Sequence, residues 1–259
     1  MRQLLLLRLL AENRRAFKPI EQRIVRTADA SDATVYVYDP IVGDRATAEY
    51  WGGVCPQDFV PALAALDVET IHLRVNTPGG DVFAAQAMSQ AMREHKARIV
   101  GHIDGLSASA GTDLCCACDE VRISPGGMYM IHQAWTFAAG NADDLEGVVG
   151  LLRKVDGTIV DTYERFTGGD RKQIEDWVKA ETWFTAQEAV DAGFVHAIDA
   201  GDKGGDTAAK ASAWNLSAYA KAPRMQTSAP PPPEPPAASA DHRARQAQRM
   251  RLQALTIPR

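Results

Sequence analysis

The chain has 259 residues, of which 46% are hydrophobic, and this is enough for one sizeable core. Its formal net charge of −5 at pH 7 argues against nucleic acid as the principal partner, because no global basic field would attract phosphates. The 4 cysteines include the crowded run Cys115, Cys116 and Cys118, which suits neither a disulfide framework nor finger-type zinc spacing, so reduced, buried thiols and no metal site are expected.

The first residues predict a short amphipathic helix. Their apolar run is broken by Arg8, is too short to span a membrane, and leads into A-E-N-R-R instead of a small-residue cleavage site. A leucine face of this kind can cap the domain, contact a neighbouring subunit or touch a membrane surface, and the first two uses are favoured because no strong basic face accompanies it. We assign residues 1–30 to this N-terminal segment.

Hydrophobic periodicity then alternates between strand and helix, which defines a main domain at residues 31–200. Strands are predicted at 33–39, 70–76, 97–105, 120–124 and 128–132, and helices at 56–66, 81–95, directly after Ser109, and 142–167. Strand–helix repeats of this kind indicate an α/β fold with a mostly parallel sheet.

Residues 201–259 differ in character from the domain before them. Their centre, S-A-P-P-P-P-E-P-P-A-A-S-A at 228–240, predicts an extended, flexible spacer that cannot pack a core. The basic, helix-prone end of the chain is typical of a solvated terminal helix, although a basic peptide on a flexible tether can also dock on an acidic partner. We therefore expect a polar, proline-rich linker followed by a basic tail.

Ser109 is the candidate nucleophile, in the run G-L-S-A-S-A-G-T at 105–112. Its small neighbours permit a tight turn that exposes both the hydroxyl and the amide of Ala110, and the helix predicted after it brings a positive end to the site. A serine that attacks a carbonyl also needs a neutral imidazole within reach, and His132 in M-I-H-Q is the candidate base.

The turn Pro78-Gly79-Gly80 lies between a predicted strand and a predicted helix, so an amide of its glycines can point into a cleft. Gly80 and Ala110 are therefore the candidate donors to an oxyanion. Each signal has a plainer explanation when it is taken alone, since small-residue serines often serve packing, histidines often lie in cores, and Pro-Gly-Gly is often only a turn.

The three motifs N-T-P-G-G-D-V, G-L-S-A-S-A-G and M-Y-M-I-H-Q occur in one order and resemble the Clp peptidase family. The motif sequences are most similar to those of the phage-associated branch, the ClpP-related head maturation proteases, and the resemblance covers roughly residues 31–200. It implies a ClpP/crotonase-like spiral of ββα units. It also implies that Ser109, and not the nearby Ser107, is the nucleophile, with His132 as base and Gly80 and Ala110 as the oxyanion donors.

The third member of the triad is where the chain departs from the family, which carries an aspartate at this position. The aligned residue in A-E-T-W-F-T-A-Q-E-A is Glu181. Glutamate can orient an imidazole as aspartate does, but its extra methylene changes its reach. Asp176 is the alternative if the loop is shifted, and Glu181 could also be only a solvated charge at a helix end.

The resemblance implies a serine endopeptidase that needs no cofactor and forms a homo-oligomeric ring. No segment of the sequence approaches the length of a membrane span, so none is expected. The substrates of the endopeptidase would be capsid or scaffold proteins during phage head maturation, and its location the bacterial or phage-infected host cytoplasm or the interior of the prohead. The tail beyond residue 200 would then be an assembly element. Other functions stay open, namely a cellular Clp proteolytic subunit that serves an ATP-driven unfoldase, a crotonase-fold acyl-CoA enzyme, and an inactive assembly protein.

Overall fold

The structure, a computed structural model, describes residues 5–26, 31–199 and 214–223. In this part of the chain the strands are β1 Ile24–Arg26, β2 Asp32–Val37, β3 Thr70–Thr77, β4 Arg98–Ala108, β5 Glu120–Ile123, β6 Met128–Ile131, β7 Thr182–Thr185 and β8 Ala197–Ile198. The α-helices are α1 Leu5–Glu12, α2 Arg45–Trp51, α3 Pro56–Ala64, α4 Val82–Arg93, α5 Ala110–Cys115, α6 Ala142–Thr167, α7 Arg171–Ala180 and α8 Ala186–Asp191, and a 3₁₀ turn covers Ile20–Arg23.

The described strands form one sheet in the order β1-β2-β3-β4-β5-β8, in which β6 joins β4 and β7 joins β6. The pairs from β2 to β8 along this order are parallel, whereas β1 and β7 run antiparallel to their neighbours. Alternate residues of β2 and β3, such as Val35 and its partner Leu73, are buried beneath the helices. The α/β fold with a mostly parallel sheet is confirmed.

Strand β4 brings the candidate nucleophile and base together. Its first half pairs with β5 and its second half with β6, where Ala108 lies opposite Met130. Because β4 and β6 are parallel, their carboxyl ends meet at one edge of the sheet. Ser109 follows β4 directly and His132 follows β6 directly, so the topology places both residues at this edge.

The predicted elements agree with the structure except at their ends, and β4 shows why the ends differ. The prediction stopped at Gly105, but the strand continues to Ala108 because Thr77 of β3 pairs with Ser107 and β6 covers the other side. Neighbouring strands thus impose an extended backbone on small residues with little β-propensity of their own. The structure also contains elements that the sequence pattern did not indicate, namely β1, α2, α7, β7, α8 and β8.

The four cysteines are free thiols, and Cys115, Cys116 and Cys118 pack within or just after α5. Burial raises the pKa of Cys115 to about 12 and raises that of the other two as well, so all three stay protonated at neutral pH. In the ranges that the structure covers, no helix has the length and apolar character needed to cross a bilayer.

Residues 214–222, which we call the strap, pack on the end of the sheet that carries Ser109. Trp214, Ala218 and Tyr219 are buried there, in a cluster with Leu9 of α1, Leu106, Ala108 and Met130. The strap belongs to the same compact unit as the sheet, Met1–Ala222. The strap thus packs on the sheet although its residues belong to the range 201–259, which the sequence analysis assigned to a linker and tail. The proline-rich spacer and the basic end of that range fall outside the described residues.

Candidate active site

Ser109 adopts an unusual backbone conformation, with φ 52° and ψ −126°, at the junction of β4 and α5. Its amide donates to the carbonyl of Met130 at 2.8 Å, and its carbonyl accepts from the amide and hydroxyl of Thr112. The chain thus turns sharply from strand to helix at this residue. A non-glycine residue with positive φ is strained, and here the strain presents the hydroxyl at the edge of the sheet.

His132 is hydrogen-bonded to Ser109, with 2.7 Å between Nε2 and Oγ. Asp156 of α6 holds the following loop by accepting from the amide of Ala134 and the side chain of Gln133. Burial lowers the pKa of His132 to about 4, while the negative charge of Glu181 opposes this shift. The imidazole is therefore neutral at pH 7 and able to accept the hydroxyl proton of Ser109.

The turn at Pro78-Gly79-Gly80 lies beside Ser109 because β3 and β4 are parallel neighbours. Ile41 bridges this turn, since its amide donates to the carbonyl of Gly79 and its carbonyl accepts from the amide of Asp81, both at 2.9 Å. Among the described residues, the amide of Gly80 has no hydrogen-bond acceptor. A Cβ at Gly80, where φ is 148°, would lie 1.9 Å from the carbonyl oxygen of Ile41, so the close approach requires glycine.

Ala110 is the first residue of α5, where helix amides have no intrahelical acceptor. Its amide and that of Gly80 belong to segments that meet at Ser109, because Gly79 approaches both Ser109 and the amide of Ala110. The structure thus brings together Ser109, His132, Gly80 and Ala110. This arrangement supplies a hydroxyl, a base and two backbone donors at one edge of the sheet.

Glu181 lies near His132 but is not bonded to it. Within the described part of the chain, no hydrogen bond or ion pair joins the two side chains, although both line a cavity of about 320 Å³. The carboxylate instead accepts from the amides of Ala220 at 3.0 Å and Lys221 at 2.5 Å, and from the indole of Trp183 at 3.4 Å. Asp176, the alternative acid, is exposed on α7 and pairs with Lys172. A direct carboxylate contact to His132 therefore stays a prediction.

A second cavity, of about 360 Å³, opens in front of Ser109, His132, Gly80 and Ala110. Its remaining walls are mostly apolar and include Val82, Phe83, Leu152, Val155 and Ile159. Asp113 is a polar exception, and burial raises the pKa of its carboxyl group. The cavity can hold an apolar side chain next to the nucleophile.

Tyr219 is the neighbour of the site that the sequence analysis missed. Its ring meets the imidazole of His132 edge to face, with 5.3 Å between centroids and 83° between planes. The residue falls in a stretch that composition assigned to a linker. The one available signal was the apolar spacing of W-N-L-S-A-Y at 214–219, which is unusual for a polar spacer.

Comparisons with known proteins identify the family of the chain. A family model described as Clp protease matches residues 55–201, which include Gly80, Ser109, His132 and Glu181 but not the strap. The chain is 34% identical to "ATP-dependent Clp protease proteolytic subunit 1" of Chlamydia abortus over 48% of this chain and 67% of that protein. It is 34% identical to subunit 2 of Thermobifida fusca, over 52% of this chain and 68% of that protein. With the proteolytic subunit of Deinococcus radiodurans it shares 28% identity over 64% of this chain and 80% of that protein. The matched family model spans more than half of the chain, and the chain therefore belongs to the Clp protease family.

Proposed function

We propose that this protein is a serine endopeptidase in which Ser109 is the nucleophile and His132 the general base. The observation that carries the proposal is the 2.7 Å hydrogen bond between Ser109 Oγ and His132 Nε2, at the mouth of an apolar cavity. A neutral imidazole bonded to a serine hydroxyl is the arrangement that acyl transfer requires.

The proposed reaction has two halves. Ser109 Oγ attacks the peptide carbonyl carbon while its proton passes to His132 Nε2, and the amides of Gly80 and Ala110 donate to the resulting oxyanion. The C–N bond then breaks as His132 gives the proton to the leaving amine, which leaves an ester between Ser109 Oγ and the acyl group. In the second half a water molecule attacks this ester while His132 takes its proton, and His132 returns that proton to Ser109 Oγ as the acyl group leaves as a carboxylic acid. Glu181 favours the imidazolium by its charge, since that charge raises the pKa of His132 against the effect of burial.

The apolar cavity supports a preference for substrates with an apolar residue before the scissile bond. Two biological roles are compatible with this proposal. The similarity of the motif sequences to phage-associated relatives supports processing of capsid or scaffold proteins in phage head maturation. The names of the matched relatives, which are subunits of ATP-dependent proteases, support work with an ATP-driven unfoldase equally well. Degradation of a folded protein only when an unfoldase and ATP are added would favour the second.

Replacement of the nucleophile tests the proposal. Ser109→Ala should lower hydrolysis of apolar fluorogenic peptides by about 10⁶-fold and abolish labelling by a fluorophosphonate. Ser107→Ala is the matched control, because Ser107 is buried and its hydroxyl contacts the thiol of Cys115 at 3.3 Å. Full labelling of Ser109→Ala, with loss of labelling in Ser107→Ala, would assign the nucleophile to the other serine.

A further inference from the structure

Tyr219 contacts the candidate base and the oxyanion turn at once. Its buried ring packs edge to face on His132, 5.3 Å between centroids, and its hydroxyl donates to the carbonyl of Pro78. Trp183 covers another side of the same ring, with 5.8 Å between centroids. Burial raises the pKa of the Tyr219 phenol, and a hydrogen-bonding interaction with the side chain of Ser109 opposes this shift only in part. The hydroxyl therefore stays protonated at neutral pH and can act as a donor. Tyr219 thus lies where a small movement would displace the imidazole.

The strap is anchored on both sides of Tyr219. After it, the amides of Ala220 and Lys221 donate to the carboxylate of Glu181. Before it, the indole of Trp214 donates to Asn76 Oδ1 at 3.2 Å, and the backbone of Asn215 exchanges two hydrogen bonds with the side chain of Asn13. Contacts with three separate parts of the fold therefore fix the tyrosine ring.

The position of the strap favours support of the site over blockage. The cavity in front of Ser109 has no strap residue among its described lining, and the bond between Ser109 and His132 is formed while the strap is in place. At the same time, Glu181 makes no hydrogen bond to His132 in the described structure, and its oxygens bind the strap. Something other than a carboxylate must hold the imidazole.

We propose that Tyr219 is a positioning residue that holds the His132 ring toward Ser109, and that Glu181 acts on the base largely by anchoring the strap that carries Tyr219. This inference rests on the proposed peptidase function. Edge-to-face packing fixes a ring plane without a hydrogen bond and excludes water from the imidazole. The strap lies outside the residues that match the family model, so this support is an addition to the matched part of the fold.

Removing the tyrosine ring should have two linked effects. The imidazole would leave its position for part of the time, which lowers kcat while KM changes little, because the substrate cavity is untouched. Water would also reach the ring, so the pKa of His132 should rise from about 4 toward its usual 6.5. In the described structure the other titratable groups around His132 are Glu181 and Lys179 on the cavity behind it, Asp81, Asp113 and Tyr163 on the cavity in front, and Asp156 beneath its loop. None of these side chains is replaced in the variants below.

The test uses the full chain with Tyr219→Leu, which keeps apolar volume, and Tyr219→Phe, which keeps the ring. The pKa of His132 is measured by NMR titration, with the resonance assigned from a His132→Gln spectrum, beside kcat and KM on one peptide. We expect Tyr219→Leu to lower kcat by about tenfold or more and to raise the pKa by at least about one unit. Tyr219→Phe should restore most of both values. Leu216→Ala is the control, because the Leu216 side chain packs on the same cluster as the strap and makes none of the anchoring hydrogen bonds.

A folded Tyr219→Leu protein with the wild-type kcat and the wild-type pKa of His132 would overturn the inference, and so would an increase in kcat, which would make the strap an inhibitor. If Tyr219→Leu does not fold, Ala220→Pro replaces it, since proline removes one amide that binds Glu181 and leaves Tyr219 present. Ala220→Pro must then lower kcat and raise the pKa of His132, and wild-type values of both quantities in this variant would contradict the inference. Failure of the peptidase proposal would look different, because the wild type would then take no fluorophosphonate while the pKa of His132 still responded to Tyr219→Leu.

Discussion

At the scale of single residues, the low pKa of His132 sets the acid limit of the proposed reaction. Only the neutral imidazole can accept the proton of Ser109, and burial holds that neutral form down to a pKa of about 4. We expect the rate of fluorophosphonate labelling to be constant from pH 8 to about pH 5 and to fall by half near pH 4. A half-point near 6.5, the usual value for histidine, would show that water reaches the ring and would contradict the packed site.

Gly80 provides a test of the oxyanion donors. In Gly80→Ala the new methyl group would lie 1.9 Å from the carbonyl oxygen of Ile41, so the turn must move and carry its amide away. Loss of one such donor typically lowers kcat by about 100-fold or more, and we expect that loss with little change in KM. Gly126→Ala is the control, because a Cβ at Gly126 meets no atom within 4 Å. Equal kcat values for the two variants would exclude Gly80 as a donor.

The site residues divide by how the chain encodes them. Ser109 and Gly80 were predicted from runs of small and turn residues and His132 from M-I-H-Q, and the order of these three motifs, which resembles the family, strengthened each prediction. Glu181 was predicted from alignment with a motif, but its partners could not be, since the strap that binds its carboxylate returns from a distant part of the chain. The apolar spacing of residues 214–219 gives Tyr219 only a weak local signal, and tertiary packing alone brings it to His132.

At the scale of elements, long strands and helices were predictable because their hydrophobic period runs over many residues. The helix at 142–167 is observed over Ala142–Thr167. Short strands were missed because a strand such as Ala197–Ile198 has too few residues for any period and forms only by pairing with β5. The sequence therefore predicted the scaffold beneath the site more fully than the segments that close over it.

The junction of α1 and the strap gives a prediction at this scale. Asn13 is buried, and its side chain accepts from the amide of Asn215 at 2.8 Å and donates to the carbonyl of Asn215 at 2.9 Å. Asn13→Ala would leave the backbone amide and carbonyl of Asn215 without these partners, which should lower the free energy of unfolding by about 1–3 kcal/mol. We expect faster amide hydrogen exchange across residues 214–221 than in the wild type, with the sheet unchanged. Equal exchange rates across residues 214–221 in the variant and the wild type would mean that α1 does not hold the strap.

At the scale of the whole molecule, α6 presents apolar side chains to solvent. Leu145 and Val149, one turn apart on the same face of the helix, are 41% and 44% exposed. An exposed apolar pair at this spacing is a candidate contact surface for the ring of identical subunits that the family resemblance implies.

Val149→Glu tests that assembly. A charge next to Leu145 would have to be buried without a partner if two copies met there, so the assembly should weaken. We expect sedimentation velocity to show a shift to smaller species at equal concentration. Glu146→Gln, one turn earlier on the same helix, is a control with little change in volume. An unchanged sedimentation profile for Val149→Glu would remove this surface from the proposed contact.

The backbone of Ser109 has a consequence for the history of such proteins. Holding a serine at φ 52° costs of the order of 1–3 kcal/mol, whereas glycine adopts this conformation freely. Ser109→Gly would therefore yield an inert copy that withstands heat better than its parent. In a lineage no longer selected for peptide cleavage, this substitution would be favoured by its gain in the free energy of unfolding. Retention of a serine at this strained position is therefore a sign of selection for catalytic turnover.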